Sequence, residues 1–225
     1  GRGWRQARPG DALALMPLSA GGDGFGETLG QLLGAQPRIT KALNAAHQAC
    51  TVRWWWHAAS KTAIIESARV IGLAMLPPGK FHPFDLDTFG LGKLLQAAAS
   101  SGAERCIVGI GGSATNDGGF GLARALGWRF LAAGGQGLER WTSLDRVTCI
   151  LPPKPRRLFK SLTVAVDVQN PLLGPHGATR IYGPQKGLRP GDFPHAERCL
   201  RRLAGAASRC IRRDIAQTPG AGAAG

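Results

Sequence analysis

Residues 105–119 read RCIVGIGGSATNDGG and run into residues 120–126, FGLARAL. A short apolar run rich in Ile and Val, a glycine-dense loop and a helix-forming stretch make a strand–loop–helix unit. The theme recurs along the chain. Residues 12–18 (ALALMPL) read as a buried strand, 19–26 as a glycine loop and 27–33 as a helix. Residues 51–56 and 62–66 read as two extended segments joined by a short polar turn, and Pro77-Pro78-Gly79 as a breaker. Residues 91–99 follow as a helix, 162–168 as another buried strand, 181–187 as a loop and 193–215 as a basic amphipathic helix. Strands alternating with helices predict an α/β fold, and the Trp-rich hairpin predicts a mixed sheet.

The 225 residues suffice for one large domain or two small ones, and 44% hydrophobic with 19% charged residues is a globular composition. No run of eighteen apolar residues marks a membrane span, and no secretory signal follows the first arginines. The five cysteines are odd in number and lack C-x-x-C spacing, which fits buried thiols in a reducing cytoplasm better than a disulfide or zinc scaffold. Lys and Arg outnumber Asp and Glu by 28 to 14, a net charge of +14. The densest cluster, residues 198–213, is interrupted by Leu200, Leu203 and Ile211, as on the solvated face of a helix. No nucleic acid is therefore expected as a partner. The competing picture is a non-catalytic basic module binding nucleic acid through Arg198, Arg201, Arg202, Arg212 and Arg213.

The 111–119 loop exposes backbone donors at a helix start, where a phosphate or carboxylate is favoured. Ser113, Thr115 and Asn116 add side-chain donors, and Asn116 or Asp117 is placed to cap the following helix. A tight turn that binds nothing has the same composition. Gly109-x-Gly111-x-x-Ala114 meets the loose dinucleotide pattern, but no acidic residue ends a strand about twenty positions later. Gly111-x-Ser113-x-Thr115 narrowly misses a nucleophile elbow; with Asp167 and His176 or His195 it makes an α/β hydrolase the alternative. A Walker A loop is absent.

The segment from Ile107 to Gly119 resembles the signature of the type-I glycerate kinase family. A second stretch agrees with it, Asp167-Val168-Gln169-Asn170-Pro171-Leu172-Leu173-Gly174 running on to Tyr182-Gly183-Pro184-Gln185-Lys186-Gly187. So do Pro17-Leu18-Ser19-Ala20-Gly21-Gly22-Asp23-Gly24, Thr88-Phe89-Gly90-Leu91-Gly92 and the closing Pro219-Gly220-Ala221-Gly222-Ala223-Ala224-Gly225, all in the family's order. The resemblance implies phosphorylation of a hydroxyl of D-glycerate by ATP with Mg2+. It implies two α/β domains: residues 1–37 as a partial Rossmann-like domain, 38–215 as a larger inserted α/β domain with a mixed sheet, and 216–225 as the return to the first.

On that pattern Asp167 accepts the hydroxyl proton or ligates Mg2+, and Lys186 meets the transferring phosphate. Gly111, Gly112, Ser113, Thr115, Asn116 and Asp117 hold an anionic group, with Asn170 and Asp23 in support. Each has a plainer counterpart: Asp167 and Asn170 as turn formers before Pro171, Lys186 as an exposed loop cation. The chain departs from the family at Ala20 and Gln169, where acidic residues are usual. The family's opening strand and its later closing strands have no counterpart, so a fragment lacking both ends is expected, its own activity open. Nothing in the sequence indicates an oligomeric state.

Overall fold

The computed structural model describes residues 1–154, 157–216 and 218–225. In chain order its elements are α1 (Arg2–Ala7), α2 (Phe25–Leu33), β1 (Gln36–Leu43), β2 (Ala49–His57), β3 (Thr62–Glu66), α3 (Ala68–Ile71) and α4 (Phe89–Ser100). Then come β4 (Arg105–Gly109), α5 (Phe120–Ala125), β5 (Arg129–Leu131), β6 (Cys149–Leu151), β7 (Ser161–Ala165), α6 (Ala178–Lys186) and α7 (Phe193–Ile211). Five strands form one mixed sheet in the order β1-β2-β3-β4-β7, and β5 pairs with β6 apart from it. β1, β2 and β3 are antiparallel neighbours, whereas β3, β4 and β7 run parallel. The fold is α/β with the mixed sheet that the sequence predicts.

The side-chain alternation of a strand explains the three consecutive tryptophans. Val52 and Trp54 face the core that holds Ala63, Ile65, Cys106, Val108 and the α4 residues Leu94 and Leu95. Trp55 points to the opposite face, where it packs with Ile64, Phe25 and Ala35 beneath α2. Gly26 and Gly30 let α2 lie on the Trp55 ring; a Cβ at Gly26 would overlap that ring. A further core joins Phe120, Phe130, Trp141, Leu144, Leu172 and Leu200 between α5, the β5–β6 pair and α7.

Register sets the site. Glu66 pairs with Gly109, and Gly109 with Ala165, so the three parallel strands end level and their loops leave by one edge. Ligands of open α/β sheets collect beyond such carboxyl ends.

Several expectations are corrected. Residues 12–18 form no strand: no ladder receives them, Pro17 removes a donor, and Leu15, Met16 and Leu18 are exposed. β7 is short and largely exposed, because it pairs with β4 alone at the sheet's outer edge. Residues 181–187 are not a loop but most of α6, which tolerates Pro184 and ends at Gly187. Gly187 takes φ +107°, and the Leu188 amide returns to the Gly183 carbonyl at 2.9 Å, a glycine-terminated helix end.

Gly26→Ala is expected to lower stability by about 1–3 kcal/mol through overpacking against Trp55. Urea unfolding followed by tryptophan fluorescence checks it; an unchanged midpoint would show that α2 does not rest on this ring.

Candidate functional site

The loop after β4 folds back onto the glycine loop that precedes α2. Gly111 N–H donates to the Gly21 carbonyl at 2.9 Å. The approach excludes side chains: a Cβ at Gly109 would lie 2.6 Å from that carbonyl oxygen, and one at Gly111 2.7 Å from Gly22 Cα. Beneath, the buried Glu66 holds the same loop. Its Oε1 accepts from Gly24 N–H at 3.2 Å and its Oε2 from Gly26 N–H at 2.9 Å, with Arg69 Nε 3.2 Å from Oε2. Sequence reasoning missed Glu66. A carboxylate closing the apolar run Ala63-Ile64-Ile65 is the signal that could have found it.

α6 delivers Lys186 at its last position, where the side chain turns inward and is only 6% exposed. The ammonium donates to Ser113 Oγ at 3.1 Å, to the Thr115 carbonyl at 2.5 Å and to the Ala224 carbonyl at 2.5 Å. Ser113 Oγ in turn donates to the Ala224 carbonyl at 2.7 Å. Burial pulls Lys186 down to about 8 from its ordinary 10.5, partly opposed by the negative charge of Asp117.

Around these groups lies a hollow of about 190 Å3, lined among others by Gly111, Gly112, Ser113, Asp167, Tyr182 and Lys186. Asp167 is exposed at its rim, on the loop after β7. Burial raises the Tyr182 hydroxyl, and the Asp167 charge raises it further. Asp23 is exposed as well, with its Oδ1 3.3 Å from where a Gly112 Cβ would stand.

The remaining expected site residues face inward. Asp117 is fully buried, its Oδ2 accepting from Thr88 N–H (2.9 Å), Thr88 Oγ1 (2.8 Å) and Gly121 N–H (2.8 Å), and its Oδ1 from Gly119 N–H (3.2 Å). It braces the start of α5 against α4, and burial raises its pKa. Asn116 is buried too: its Nδ2 donates to Thr179 Oγ1 at 3.1 Å, and its Oδ1 has no partner among the described residues. Thr115 contributes its carbonyl to Lys186 and leaves its own hydroxyl unpartnered among the described residues. Asn170 accepts from the Tyr182 hydroxyl at 2.6 Å and donates to the His176 carbonyl at 2.9 Å, so it orients Tyr182 from behind.

The hydrolase triad does not assemble. Ser113 Oγ is paired with Lys186 and Ala224, while His195 is engaged with the Thr142 carbonyl at 2.9 Å. Arg198, Arg201, Arg202, Arg212 and Arg213 are exposed on and just after α7. Among the described residues no three His, Cys, Asp or Glu side chains gather as a metal site. The exposed carboxylates of Asp23 and Asp167 are hard oxygen donors, the kind Mg2+ shares with phosphate oxygens.

The whole chain, residues 1–225, matches the model of the glycerate kinase family. It is 35% identical over 228 residues to the glycerate kinase of Halalkalibacterium halodurans, covering 100% of this chain and 60% of that protein. It is 34% identical over 231 residues to the glycerate 2-kinase of Escherichia coli, covering 100% of this chain and 60% of that protein. A solved structure from Salmonella typhimurium LT2, provisionally named glycerate kinase 2, superimposes with a TM-score of 0.87 at 31% identity, covering 100% of this chain and 61% of that one. The chain thus spans about 60% of the length of these curated relatives.

Asp117→Ala would strand the Thr88, Gly119 and Gly121 amides, and is expected to cost about 2–4 kcal/mol in stability. Thermal unfolding by calorimetry measures this; a loss below about 0.5 kcal/mol would remove Asp117 as the brace of α5.

Proposed function

Since the chain belongs to the glycerate kinase family, we propose that its small hollow holds D-glycerate and that the whole protein transfers the γ-phosphoryl group of ATP to one of the glycerate hydroxyls. The observation that supports this most is the meeting of Ser113, Asp167 and Lys186 around one hollow of about 190 Å3. That size suits a three-carbon hydroxy acid.

The chemistry asks for positioning and charge neutralisation more than for covalent machinery. Ser113 and the glycine backbone of Gly111 and Gly112 orient the substrate. Lys186 supplies a desolvated positive charge whose protein acceptors are all neutral oxygens, so an arriving anion finds it uncompensated. The substrate hydroxyl oxygen forms a bond to the γ-phosphorus as the bond from phosphorus to the ADP oxygen breaks. The hydroxyl proton passes to the Asp167 carboxylate, which the exposed rim leaves free to reach it. Asp167, supported by Asp23, would hold Mg2+, which would neutralise phosphate charge. A cytoplasmic setting belongs to the same picture, supported by five free thiols. No described helix is long and apolar enough to cross a membrane.

Asp167→Asn is expected to depress turnover of the whole protein at least a hundredfold while moving the unfolding midpoint little, because the side chain is exposed. Comparable losses in turnover and stability would return Asp167 to a turn-forming role.

Lys186 yields two opposite pH trends. Its folded-state pKa of about 8 lies below the ordinary 10.5, so unfolding takes up a proton between those values. Stability from this group is therefore full above pH 10.5 and is lost as pH falls through about 8. D-glycerate affinity has the reverse sign, weakening as pH rises through about 8 and the ammonium discharges. Calorimetric titrations at several pH values check the second trend; affinity that stays level from pH 7 to about 9.5 would exclude Lys186 as the anion's partner.

A further inference from the structure

Tyr182 is the one tyrosine of the chain, and it lines the small hollow from the same face of α6 as Lys186, one helical turn earlier. Its hydroxyl proton is already assigned. Asn170 Nδ2 donates to the His176 carbonyl at 2.9 Å, and a carbonyl can only accept, so the amide is turned with its Oδ1 toward Tyr182. The phenol donates to that oxygen at 2.6 Å. Asn170 is itself anchored, its backbone carbonyl accepting from Gly222 N–H at 2.9 Å. Burial, and then the Asp167 charge, raise the pKa of the phenol, so it keeps the proton it gives to Asn170. What is left at Oη is acceptor capacity, and among the described residues no donor is paired with it. One wall of the hollow thus offers a cation and, a turn away, a neutral acceptor, with the Asp167 carboxylate exposed at the rim.

We infer that Tyr182 is a specificity-determining residue, its oxygen accepting a hydrogen bond from the D-glycerate hydroxyl that is not phosphorylated. This assignment rests on the kinase reading of the small hollow and adds to it how the second hydroxyl is read. Lys186 takes the carboxylate and Asp167 the reacting hydroxyl, which leaves one hydroxyl of the substrate and one acceptor of the hollow to meet. The acceptor is a neutral phenol, so it adds no charge that would repel the carboxylate of the substrate. An acid with a single hydroxyl leaves either Asp167 or Tyr182 without its donor. A site built to pair with a substrate hydroxyl rejects the analogue lacking it far more strongly than an apolar wall does, because its own polar group is then left unpaired. A ring that served only as packing would show no such discrimination, since phenylalanine fills the same space.

The test is calorimetric titration of the chain and of Tyr182→Phe with D-glycerate, with D-lactate, which lacks the 3-hydroxyl, and with 3-hydroxypropionate, which lacks the 2-hydroxyl. The substitution is expected to weaken D-glycerate binding at least about tenfold and to leave one analogue bound as before, the one missing the hydroxyl that Tyr182 reads. Unchanged D-glycerate affinity, or equal weakening of all three acids, would overturn the assignment. A second measurement does not depend on the variant folding. Carbon-13 at tyrosine Cζ gives a single resonance in the unsubstituted chain, because Tyr182 has no other tyrosine beside it in the sequence. D-glycerate is expected to shift that resonance and one of the two analogues to leave it in place; a resonance that D-glycerate does not move, or that all three acids move alike, would overturn the assignment. D-glycerate that still binds in those cases leaves the kinase reading of the small hollow standing. D-glycerate that does not bind the unsubstituted chain brings down the two together.

Discussion

A single buried ammonium holds the site together. Lys186 comes from α6, Ser113 and Thr115 from the loop after β4, and Ala224 from the final glycine-rich stretch, and the three segments meet at one nitrogen. Taking a charge out of water costs several kcal/mol, and only acceptors placed around it offset that loss. Here the acceptors are two carbonyls and a hydroxyl, with no carboxylate in contact among the described residues. The nearest influence of opposite sign is Asp117, acting from behind without touching it. A salt bridge would have been an ordinary way to accommodate the group, but it would have cancelled the charge. The depressed pKa is the thermodynamic trace of the choice made instead: a cation held in place but not neutralised, which is what an anionic substrate needs.

The sheet makes that arrangement possible. Because β3, β4 and β7 end in register, Glu66, Gly109 and Ala165 lie in a row, and the loops that leave these strands emerge side by side. Glu66 uses its position to fix the Gly21–Gly24 turn, and Gly109 and Gly111 let that turn touch the next loop backbone to backbone. The order imposed at Glu66 thus reaches Gly111, one edge of the small hollow, with no flexible side chain between. Asp117 does the corresponding work on the far side, tying the loop's end to Thr88 and the first turn of α5. Two buried carboxylates stabilise the loops, whereas Asp23 and Asp167 stand exposed near the same edge of the sheet.

Much of this was legible in the sequence, and the misreadings have identifiable causes. The strand–loop–helix from Arg105 onward and the tryptophan hairpin carry local signals, apolar runs bounded by glycine or polar turns, and both formed as expected. Residues 12–18 carry an equally apolar signal, yet a strand requires a partner, and pairing is not a local property. The glycine and proline of residues 181–187 read as a loop, but α6 packs Gly183 against Leu188 and keeps Pro184 inside it. The loop reading had consequences for Lys186: a loop cation is expected to be solvated, whereas the last residue of a packed helix can be driven inward. The cap read at Asp117 formed, its carboxylate accepting from the Gly119 and Gly121 amides at the start of α5. Composition shows that a loop is rich in polar groups, but not which of them the backbone itself will claim, and here three amides and a hydroxyl had the prior claim.

The position of α6 carries a further constraint. Its last turn separates a hollow of about 190 Å3 from one of about 600 Å3, and Lys186 belongs to the walls of both. A phosphoryl group moving between two sites passes through a point where its charge is held by neither substrate. A fixed cation is most effective there, since it needs no reorganisation at the moment of transfer. The fold fixes this cation by its place in α6 rather than through a partner charge. The cation's position therefore depends on the register of that helix. One residue inserted or deleted ahead of Lys186 would rotate the side chain by roughly 100° about the helix axis and carry its charge away from the dividing wall. The length of α6 from Gly177 to Lys186 is for that reason as much a part of the site as the ammonium itself.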